Sequence, residues 1–552
     1  MDFNQTKMKK YKYIITLVTM AGIVVSSSCK KQLDVKNPNS PTLDQAKTES
    51  GLTSLAAGSV YVNGFVNGDG WLGDSFFSLC YGYHELLADD VSAQASNQNV
   101  NLVNVPDYAM LDDGSKIVNT QPQIANLRLN NSRDKQATNM FYYEWQSMYG
   151  LNNACNQILA LAGTVTLSGD AATKLATYKA WAYWWKGYAY ARLGSVYYAG
   201  IINNDVSSTN ATYVNSAALI AESNKNLAQA ASILNGISGT DAYTTLMGKL
   251  IPSFFQVGNG QVPTPAMFAH SINTLMARNL LVNTRTSAMT AANWQTILTL
   301  TATGIQSSDN IFAGFTTTNN YVFSAGGGSV AANTSGDETA SSFTISERLV
   351  QDIKPEDKRL AENFLQVTPF FNQVGGFTFS TRWKLYDAKI DAVPHNGAIQ
   401  IADKTPGNQE VYIGGTYEEN ELMKAEALIN TGQIDLGLAS VDNVRAYQGA
   451  GLAKVSGTGL NLAQALEELR KERRLALLFR GTAFYDARRW GVIYDISEGG
   501  GRTNAVVLSS KGVLSTHATI NYNFLDYWDV PADEVVLNPP GAGSAPVKNP
   551  KK

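Results

Sequence analysis

Charged side chains are scarce in this chain of 552 residues, and neither sign of charge dominates. Charged residues make up 16% of the sequence, whereas about 25% is usual for soluble globular proteins. The formal net charge is −3, so the chain has no electrostatic footprint for nucleic acid. The composition therefore argues against a nucleic-acid partner.

Cysteine and histidine are too few and too scattered to form the usual metal or redox motifs. The three cysteines contain no Cys-x-x-Cys pair, and the four histidines contain no His-Glu-x-x-His motif. Cys80 and Cys155 fall in predicted helices, where we favour two buried thiols over a disulfide. We expect neither a metal nor a cofactor.

The common catalytic motifs are also absent from the sequence. It contains no Gly-x-Ser-x-Gly elbow, and the glycine cluster at Gly326–Gly328 lacks the Lys-Ser/Thr of a phosphate-binding loop. A glycosidase needs two carboxylates at a set distance in space, which their spacing along the sequence does not reveal. With 46 acidic residues, chance alone supplies candidates for such a pair. The sequence therefore does not argue for catalysis, and we predict that the protein is not an enzyme.

The apolar run near the N-terminus is too short to cross a bilayer. It covers residues 13–25, whereas a membrane-spanning helix needs about 20 residues. Lysines precede the run and Ser26–Cys29 follows it, so residues 1–28 are predicted to be a lipoprotein signal peptide, with Cys29 as the acylated first residue. Several acyl chains would anchor the protein to membrane lipid. The alternative is an ordinary signal peptide with an incidental cysteine, and Met8 is a second candidate start.

Helical periodicity and many aromatic residues mark most of the remaining chain, which contains 26 Tyr, 20 Phe and 9 Trp. Trp181, Trp185 and Tyr188 recur at steps of three and four, a spacing more typical of a helix core than of a sugar-binding platform. The apolar periodicity predicts helices at 141–161, 174–193, 217–234, 267–282, 293–303, 418–430 and 434–447.

Two polar stretches interrupt the helical pattern. Residues 92–134 are rich in Asn and Asp and are predicted to be a long surface loop, and residues 307–408 are rich in Gly, Ser, Thr and Asn. We predict one globular domain overall. Its parts are a lipidated tether (29–42), an N-terminal helical region (43–306), an irregular insertion (307–408), C-terminal helical hairpins (409–491) and a terminal loop segment (492–552).

A charged helical hairpin at 462–491 is the most distinctive segment. Gly481 allows a sharp corner, and Thr482 is a plausible N-cap for the second helix. Charges close to a packed face are tolerated only when they are paired. We favour a structural lock between two helices over an anion-binding arginine cluster, because acids lie in the same stretch. The predicted partly buried ion-pair network contains Glu472, Arg473, Asp486 and Arg489.

The segment Glu472–Gly491, ERRLALLFRGTAFYDARRWG, resembles the C-terminal signature of the SusD/RagB family, including Trp490 near its end. This family comprises surface glycan- and nutrient-binding lipoproteins of Bacteroidetes. Scattered blocks elsewhere, such as 276–281 and 526–539, also resemble family segments. The resemblance implies a mainly α fold of TPR-like helical-hairpin repeats in a right-handed superhelical scaffold. A loop-rich, irregular half with a few short strands would complete the fold.

The resemblance also implies a function. A protein of this kind would sit on the cell outer membrane, anchored by lipid on Cys29, and would bind a polysaccharide or oligosaccharide. It would pass that ligand to a SusC-like TonB-dependent transporter. The alternatives are peptide capture in the same architecture, a transporter lid with little affinity of its own, and a surface glycan hydrolase.

Aromatic residues in loops are the natural candidates for contact with a sugar. Sugar rings stack on exposed aromatic faces, while amide side chains hydrogen-bond the hydroxyls. Loops held by a rigid scaffold are the usual place for such residues. The candidate ligand-binding residues are Trp71, Tyr108, Phe312, Phe315 and Tyr321, with Asn97, Asn99 and Asn101 as polar partners.

Overall fold

The structure, a computed structural model, describes most of the chain from residue 47 to the C-terminus. The described ranges are 47–58, 60, 80–93, 97–207, 209–256, 258–315, 343–370, 379–385 and 410–552. The predicted signal peptide and tether (1–42), the acylated Cys29, the candidates Trp71 and Tyr321, and the Gly326–Gly328 cluster lie outside these residues.

Within the described ranges the protein is mainly α-helical, with a few short strands, as the fold prediction states. The helices are α1 (Glu49–Ala57), α2 (Gly82–Leu87), α3 (Gln123–Asn130), α4 (Tyr142–Ala162), α5 (Ala171–Val196), α6 (Ser216–Asn235), α7 (Thr240–Leu250), α8 (Pro265–Val282), α9 (Ala291–Ala302), α10 (Glu347–Val350), α11 (Lys358–Asn363), α12 (Tyr417–Asn430), α13 (Ile434–Tyr447), α14 (Leu462–Ala476), α15 (Ala483–Arg489) and α16 (Ala532–Leu537).

The strands are short. They are β1 (Val91–Ala93), β2 (Tyr108–Met110), β3 (Lys116–Val118), β4 (Ala199–Ile201), β5 (Tyr213–Asn215), β6 (Ala313–Phe315), β7 (Phe343–Ile345), β8 (Phe364–Phe370), β9 (Thr381–Leu385), β10 (Glu410–Tyr412), β11 (Arg502–Leu508) and β12 (Leu514–Asn521). They form two four-stranded sheets, in the orders β1-β7-β9-β8 and β11-β12-β2-β3, and two two-stranded sheets, β10-β6 and β4-β5.

Side-chain caps set the starts of several long helices. Asp170 accepts a hydrogen bond from the Thr173 amide at the start of α5, and Asn215 accepts one from Ala218 at the start of α6. Asn461 and Gln464 form a reciprocal capping box at the start of α14. Each cap satisfies an amide that the first helical turn leaves without a partner, so these polar residues define the helix boundaries.

Helix α5 lies at the centre of the main hydrophobic core. Its Trp181, Trp184 and Trp185 are fully buried, and the Trp184 indole donates a hydrogen bond to Ser271 on α8 at 3.0 Å. α4 and α6 pack against α5, and α9 packs against α12. The aromatic stripe is therefore core, in agreement with the helical spacing of its residues.

The predicted surface loop at 92–134 differs from the structure, which places β1, β2, β3 and α3 there. β2 pairs with β12, with Ile520 opposite Ala109, so a remote C-terminal strand organises this segment. Strands of three residues show too little alternation to be recognised in a sequence. Helix α7 was also missed, in the connection between the helices predicted at 217–234 and 267–282.

Cys80 and Cys155 are both buried and free. In the part of the chain that the structure describes, no helix has both the length and the apolar character to cross a membrane.

Two glycines offer a matched test of the α5–α6 packing. A Cβ on Gly187 in α5 would lie 2.6 Å from Leu227 Cγ, whereas a Cβ on the exposed Gly150 in α4 would meet nothing within 4 Å. We expect Gly187→Ala to lower the free energy of unfolding by about 1–3 kcal/mol through overpacking. Gly150→Ala should raise it by up to about 1 kcal/mol, because Ala is the better helix former.

Chemical denaturation of both variants and the wild type would measure these differences. Equal effects of the two substitutions would show that α5 and α6 are not in close contact at Gly187.

Candidate functional site

The corner between α14 and α15 has an unusual backbone. Phe479 has φ of 57° and Gly481 has φ of 66°, both in the left-handed region. Glu85 on α2 accepts a hydrogen bond from the Phe479 amide at 3.0 Å, and a Cβ on Gly481 would lie 2.8 Å from the Tyr81 ring. Glycine is therefore required at position 481. The hydrogen bond from Phe479 to Glu85 connects the corner to a residue almost 400 positions earlier in the chain.

Asp486 on α15 joins two arginines of the hairpin. Arg473 donates to its carboxylate at 2.8 and 3.1 Å, and Arg489 donates to it at 2.7 Å. Arg489 also binds Glu426 on α12 at 2.5 and 2.7 Å. Burial raises the pKa of Asp486, but Arg473 and Arg489 more than offset this effect, so its pKa lies below the ordinary value.

Glu472 faces away from its own hairpin. It accepts hydrogen bonds from Arg359 on α11 at 2.7 and 3.1 Å and from Arg445 on α13 at 2.8 Å. The structure thus places the four predicted residues, Glu472, Arg473, Asp486 and Arg489, in buried ion pairs. These pairs reach other helices, so they connect much more than the two helices of the hairpin.

A second cluster joins the hairpin to the segment after α2. Arg474 binds Asp90 at 2.6 Å and also pairs with Asp352. Arg348 binds Asp89 through two hydrogen bonds of 2.7 Å, and the Tyr522 hydroxyl donates to the same carboxylate at 2.6 Å. Sequence analysis missed Asp89, Asp90 and Arg348 as partners, because nothing in their local pattern indicates a contact with residue 474.

The aromatic candidate Phe312 lies in the hydrophobic core. It is 2% exposed, and its ring centroid lies 4.6 Å from that of Trp184 and 5.3 Å from that of Trp185. Because the ring is buried among other aromatic rings, the structure does not support the expectation that Phe312 contacts a ligand. Its placement in a polar, glycine-rich stretch gave the misleading signal.

The asparagine candidates also serve packing where their side chains are described. Asn101 is 2% exposed. Asn99 has φ of 59°, and its amide donates to the Thr138 carbonyl at 3.2 Å. Asn99 therefore stabilises the local backbone and Asn101 is buried, and contact of either residue with a ligand stays a prediction. Asn97 begins a 3₁₀ segment, Phe315 ends β6, and their side chains lie outside the description.

Of the aromatic candidates whose side chains the structure describes, Tyr108 lies at the surface. It is half-buried on β2, and it alternates with the buried Ala109 and the exposed Met110. Lys116 on β3 lies over its ring, with Nζ 3.7 Å from the centroid. Val118, which is 61% exposed, lies directly opposite Tyr108 in the sheet register.

We name this outward surface the β2 face, defined by Tyr108, Met110, Lys116, Val118 and Thr519. Thr519 on β12 lies opposite Met110, so the face spans three adjacent strands. It combines an aromatic ring, two exposed apolar side chains, an ammonium group and a hydroxyl. Such a surface can stack on the apolar face of a sugar and hydrogen-bond its hydroxyls.

Within the described ranges, no three potential metal ligands lie together as a metal site.

Comparisons with known proteins relate these features to a family. Residues 419–540, which contain most of α12 and all of α13 to α16, match the model of the SusD family. A candidate sugar-binding protein from Bacteroides vulgatus aligns with a TM-score of 0.53 at 16% identity, over 90% of this chain and 97% of that chain. B. fragilis NanU aligns with a TM-score of 0.53 at 14% identity, over 93% and 100% of the two chains. At these identities the likeness shows a shared fold. No curated protein matches the chain.

Arg473 and Lys471 on α14 allow a matched test of the buried pairs. The Arg473 side chain is fully buried against Asp486, whereas Lys471 and Glu467 form an exposed pair at 3.4 Å. We expect Arg473→Met to lower the free energy of unfolding by about 3–5 kcal/mol, because it leaves a buried carboxylate without one partner. Lys471→Met should change it by about 0–1 kcal/mol. Denaturant unfolding would show the contrast, and similar effects would contradict the structural role of Arg473.

Glu85 should make the stability of the fold depend on pH. Burial, and then the neighbouring Asp90, raise the pKa of Glu85 well above its ordinary value. The folded state therefore keeps a proton that the unfolded chain releases above about pH 4.5, and the wild type loses stability as the pH rises. Glu85→Gln stays neutral and keeps an oxygen for the Phe479 amide, so it should gain stability relative to the wild type between about pH 5 and about pH 7.5.

The exposed Glu467 supplies the matched control, Glu467→Gln. Unfolding free energies at both pH values would test the prediction. A difference between Glu85→Gln and the wild type that stays constant with pH would show that Glu85 is ionised in the folded protein.

Proposed function

The chain belongs to the SusD/RagB family, and on this premise we propose that it is a surface-exposed lipoprotein that binds a polysaccharide or oligosaccharide nutrient. It delivers the ligand to a SusC-like TonB-dependent transporter and performs no catalysis. Acylated Cys29 holds it at the outer membrane. The observation that carries the proposal is the family match over residues 419–540. This range includes the hairpin of α14 and α15, which we call the signature hairpin.

The sugar-binding description of the B. vulgatus neighbour supports a glycan ligand. That protein shares the fold over 90% of this chain. Fold alone does not specify a ligand, so the proposal needs a surface with suitable chemistry. The β2 face provides one, since Tyr108 is an aromatic residue on a sheet and Lys116 and Thr519 offer donors beside it.

We assign the first sugar contact to Tyr108. A strand that is paired on both sides holds the residue more firmly than a free loop would, because β2 lies between β12 and β3. A sugar ring would displace the Lys116 ammonium from over the tyrosine ring and leave it free to bind a hydroxyl. Trp71, Phe315, Tyr321 and Asn97 stay predictions for the rest of the site.

The first experiment is binding of the soluble chain, starting after Cys29, to a panel of polysaccharides and peptides. Affinity electrophoresis would find the ligand, and calorimetry would measure its affinity. A glycan that binds supports the proposal. A peptide that binds in its place would favour peptide capture, and hydrolysis of a bound glycan would show an enzyme.

With a glycan ligand in hand, Tyr108 can be tested directly. Tyr108→Ala should weaken binding by about 1–3 kcal/mol, by analogy with aromatic stacking on nucleic-acid bases. Tyr108→Phe keeps the ring and should keep most of the affinity. Tyr142→Ala, which removes a half-buried tyrosine on α4, is the matched control. Wild-type affinity in Tyr108→Ala would exclude the β2 face as the sugar site and leave glycan binding itself untouched.

A further inference from the structure

Tyr494, in the turn that follows the signature hairpin, contacts two positively charged side chains. The guanidinium carbon of Arg285 is 4.0 Å from the centre of the tyrosine ring, and the ammonium nitrogen of Lys551 is 4.8 Å from the same point. Tyr494 is 8% exposed, whereas Arg285 is an exposed residue. The ring therefore holds a guanidinium at the surface of the protein.

The backbone beside Tyr494 leaves room for this guanidinium. The Tyr494 amide donates to the Gly491 carbonyl at 3.1 Å, and this hydrogen bond closes the turn. Gly491 has φ of 91°, and a Cβ there would lie 3.4 Å from Arg285 Nη2. A larger residue at position 491 would crowd the arginine, so glycine keeps open the space in which the guanidinium lies.

The N–H groups of Arg285 are open to a ligand. A guanidinium carries five N–H donors in a planar fork. Within the described part of the chain, Arg285 forms neither a hydrogen bond nor an ion pair. A guanidinium that rests on an aromatic ring and keeps its N–H groups free is suited to bind an oxyanion through two parallel hydrogen bonds.

A buried arginine adds positive charge below this surface. Arg488 is 3% exposed, and it donates four hydrogen bonds of 2.7–3.3 Å. The acceptors are all uncharged groups, namely the carbonyls of Ser195, Val282 and Asp526 and the side-chain oxygen of Asn283. Among the residues that the structure describes, none forms an ion pair with Arg488. Val282 and Asn283 are at the end of α8, shortly before Arg285, so the buried charge lies against the segment that carries the exposed one.

The nearby acids offset Lys551 and leave Arg285 without a partner. Burial lowers the pKa of Lys551, and four carboxylates oppose this effect, those of Asp526, Glu498, Asp107 and Asp495. Asp526 also accepts a hydrogen bond from the Tyr494 hydroxyl at 3.3 Å. None of these four acids pairs with Arg285. The exposed guanidinium is therefore available to an anion from outside the chain.

We propose that Arg285 and Tyr494 form a binding site for an oxyanion, either a free ion such as sulfate or the carboxylate of an acidic sugar. The N–H groups of Arg285 donate to two oxygens of the anion. Tyr494 and Gly491 position the guanidinium, and Arg488 supplies a positive charge from below. The site shares no residue with the β2 face, so it is a second place of contact on the protein.

Isothermal titration calorimetry of the chain that starts after Cys29 tests the site with two probes, sodium sulfate and trigalacturonate, a trisaccharide with a carboxylate on each sugar. We expect at least one probe to bind, and Arg285→Met to weaken that binding by about ten- to a hundredfold, because hydrogen bonds to a charged group are lost. Arg285→Lys keeps the charge without the planar fork and should show an intermediate loss. Lys249→Met, which removes an exposed positive charge on α7, is the matched control and should bind like the wild type.

The pattern of binding identifies the source of the anion. Binding of trigalacturonate without sulfate assigns the site to acidic sugars, and binding of sulfate without trigalacturonate assigns it to free ions. The proposal is overturned if neither probe binds, or if Arg285→Met binds both probes like the wild type. An acidic sugar that binds through Tyr108 and is insensitive to Arg285→Met would remove this site and leave the proposed nutrient-binding function intact.

Discussion

Buried arginine is the constraint on which the rest of this structure depends. Arg348, Arg359 and Arg473 are among the largest fully buried side chains of the described protein. A guanidinium cannot leave water without a carboxylate and further acceptors to replace the solvent. Each of these arginines therefore fixes the position of an acidic residue, and several of those acids come from distant parts of the chain. Arg348 and Asp89, for example, are 259 positions apart.

The signature hairpin therefore connects several distant parts of the chain, in addition to forming one helical pair of the scaffold. One turn of α14 presents Glu472, Arg473 and Arg474 in three directions, towards α13, α15 and the segment after α2. Consecutive helical residues point about 100° apart, so three neighbours can serve three separate interfaces. The left-handed corner at Phe479 then returns the chain so that Asp486 meets Arg473 from the opposite side.

The sequence predicts the helical scaffold well and the contacts between distant residues poorly, for different physical reasons. Helices α4, α5, α6, α8 and α9, and those from α12 to α14, repeat apolar residues over several turns, and this local pattern is readable. The partners of Glu472 and Arg474, in contrast, are defined by distance in space, and no spacing along the chain reveals them. Phe312 illustrates the same limit, since its polar surroundings in sequence hide its contacts with Trp184 and Trp185. Tyr108 lies on a strand of three residues whose pairing depends on β12.

The buried ion pairs and the proposed sugar-binding face are therefore separate in the described structure. The ion pairs are buried and mutually dependent, so a change at Asp486 alters the environment of Arg473 and Arg489 together. The β2 face is built from side chains on the opposite side of the sheet from Ala109 and Ile117, which pack against the core. A fold organised in this way can keep the α14–α15 hairpin while the β2 face changes, because the buried ion pairs that hold the helices together do not involve the side chains of that face.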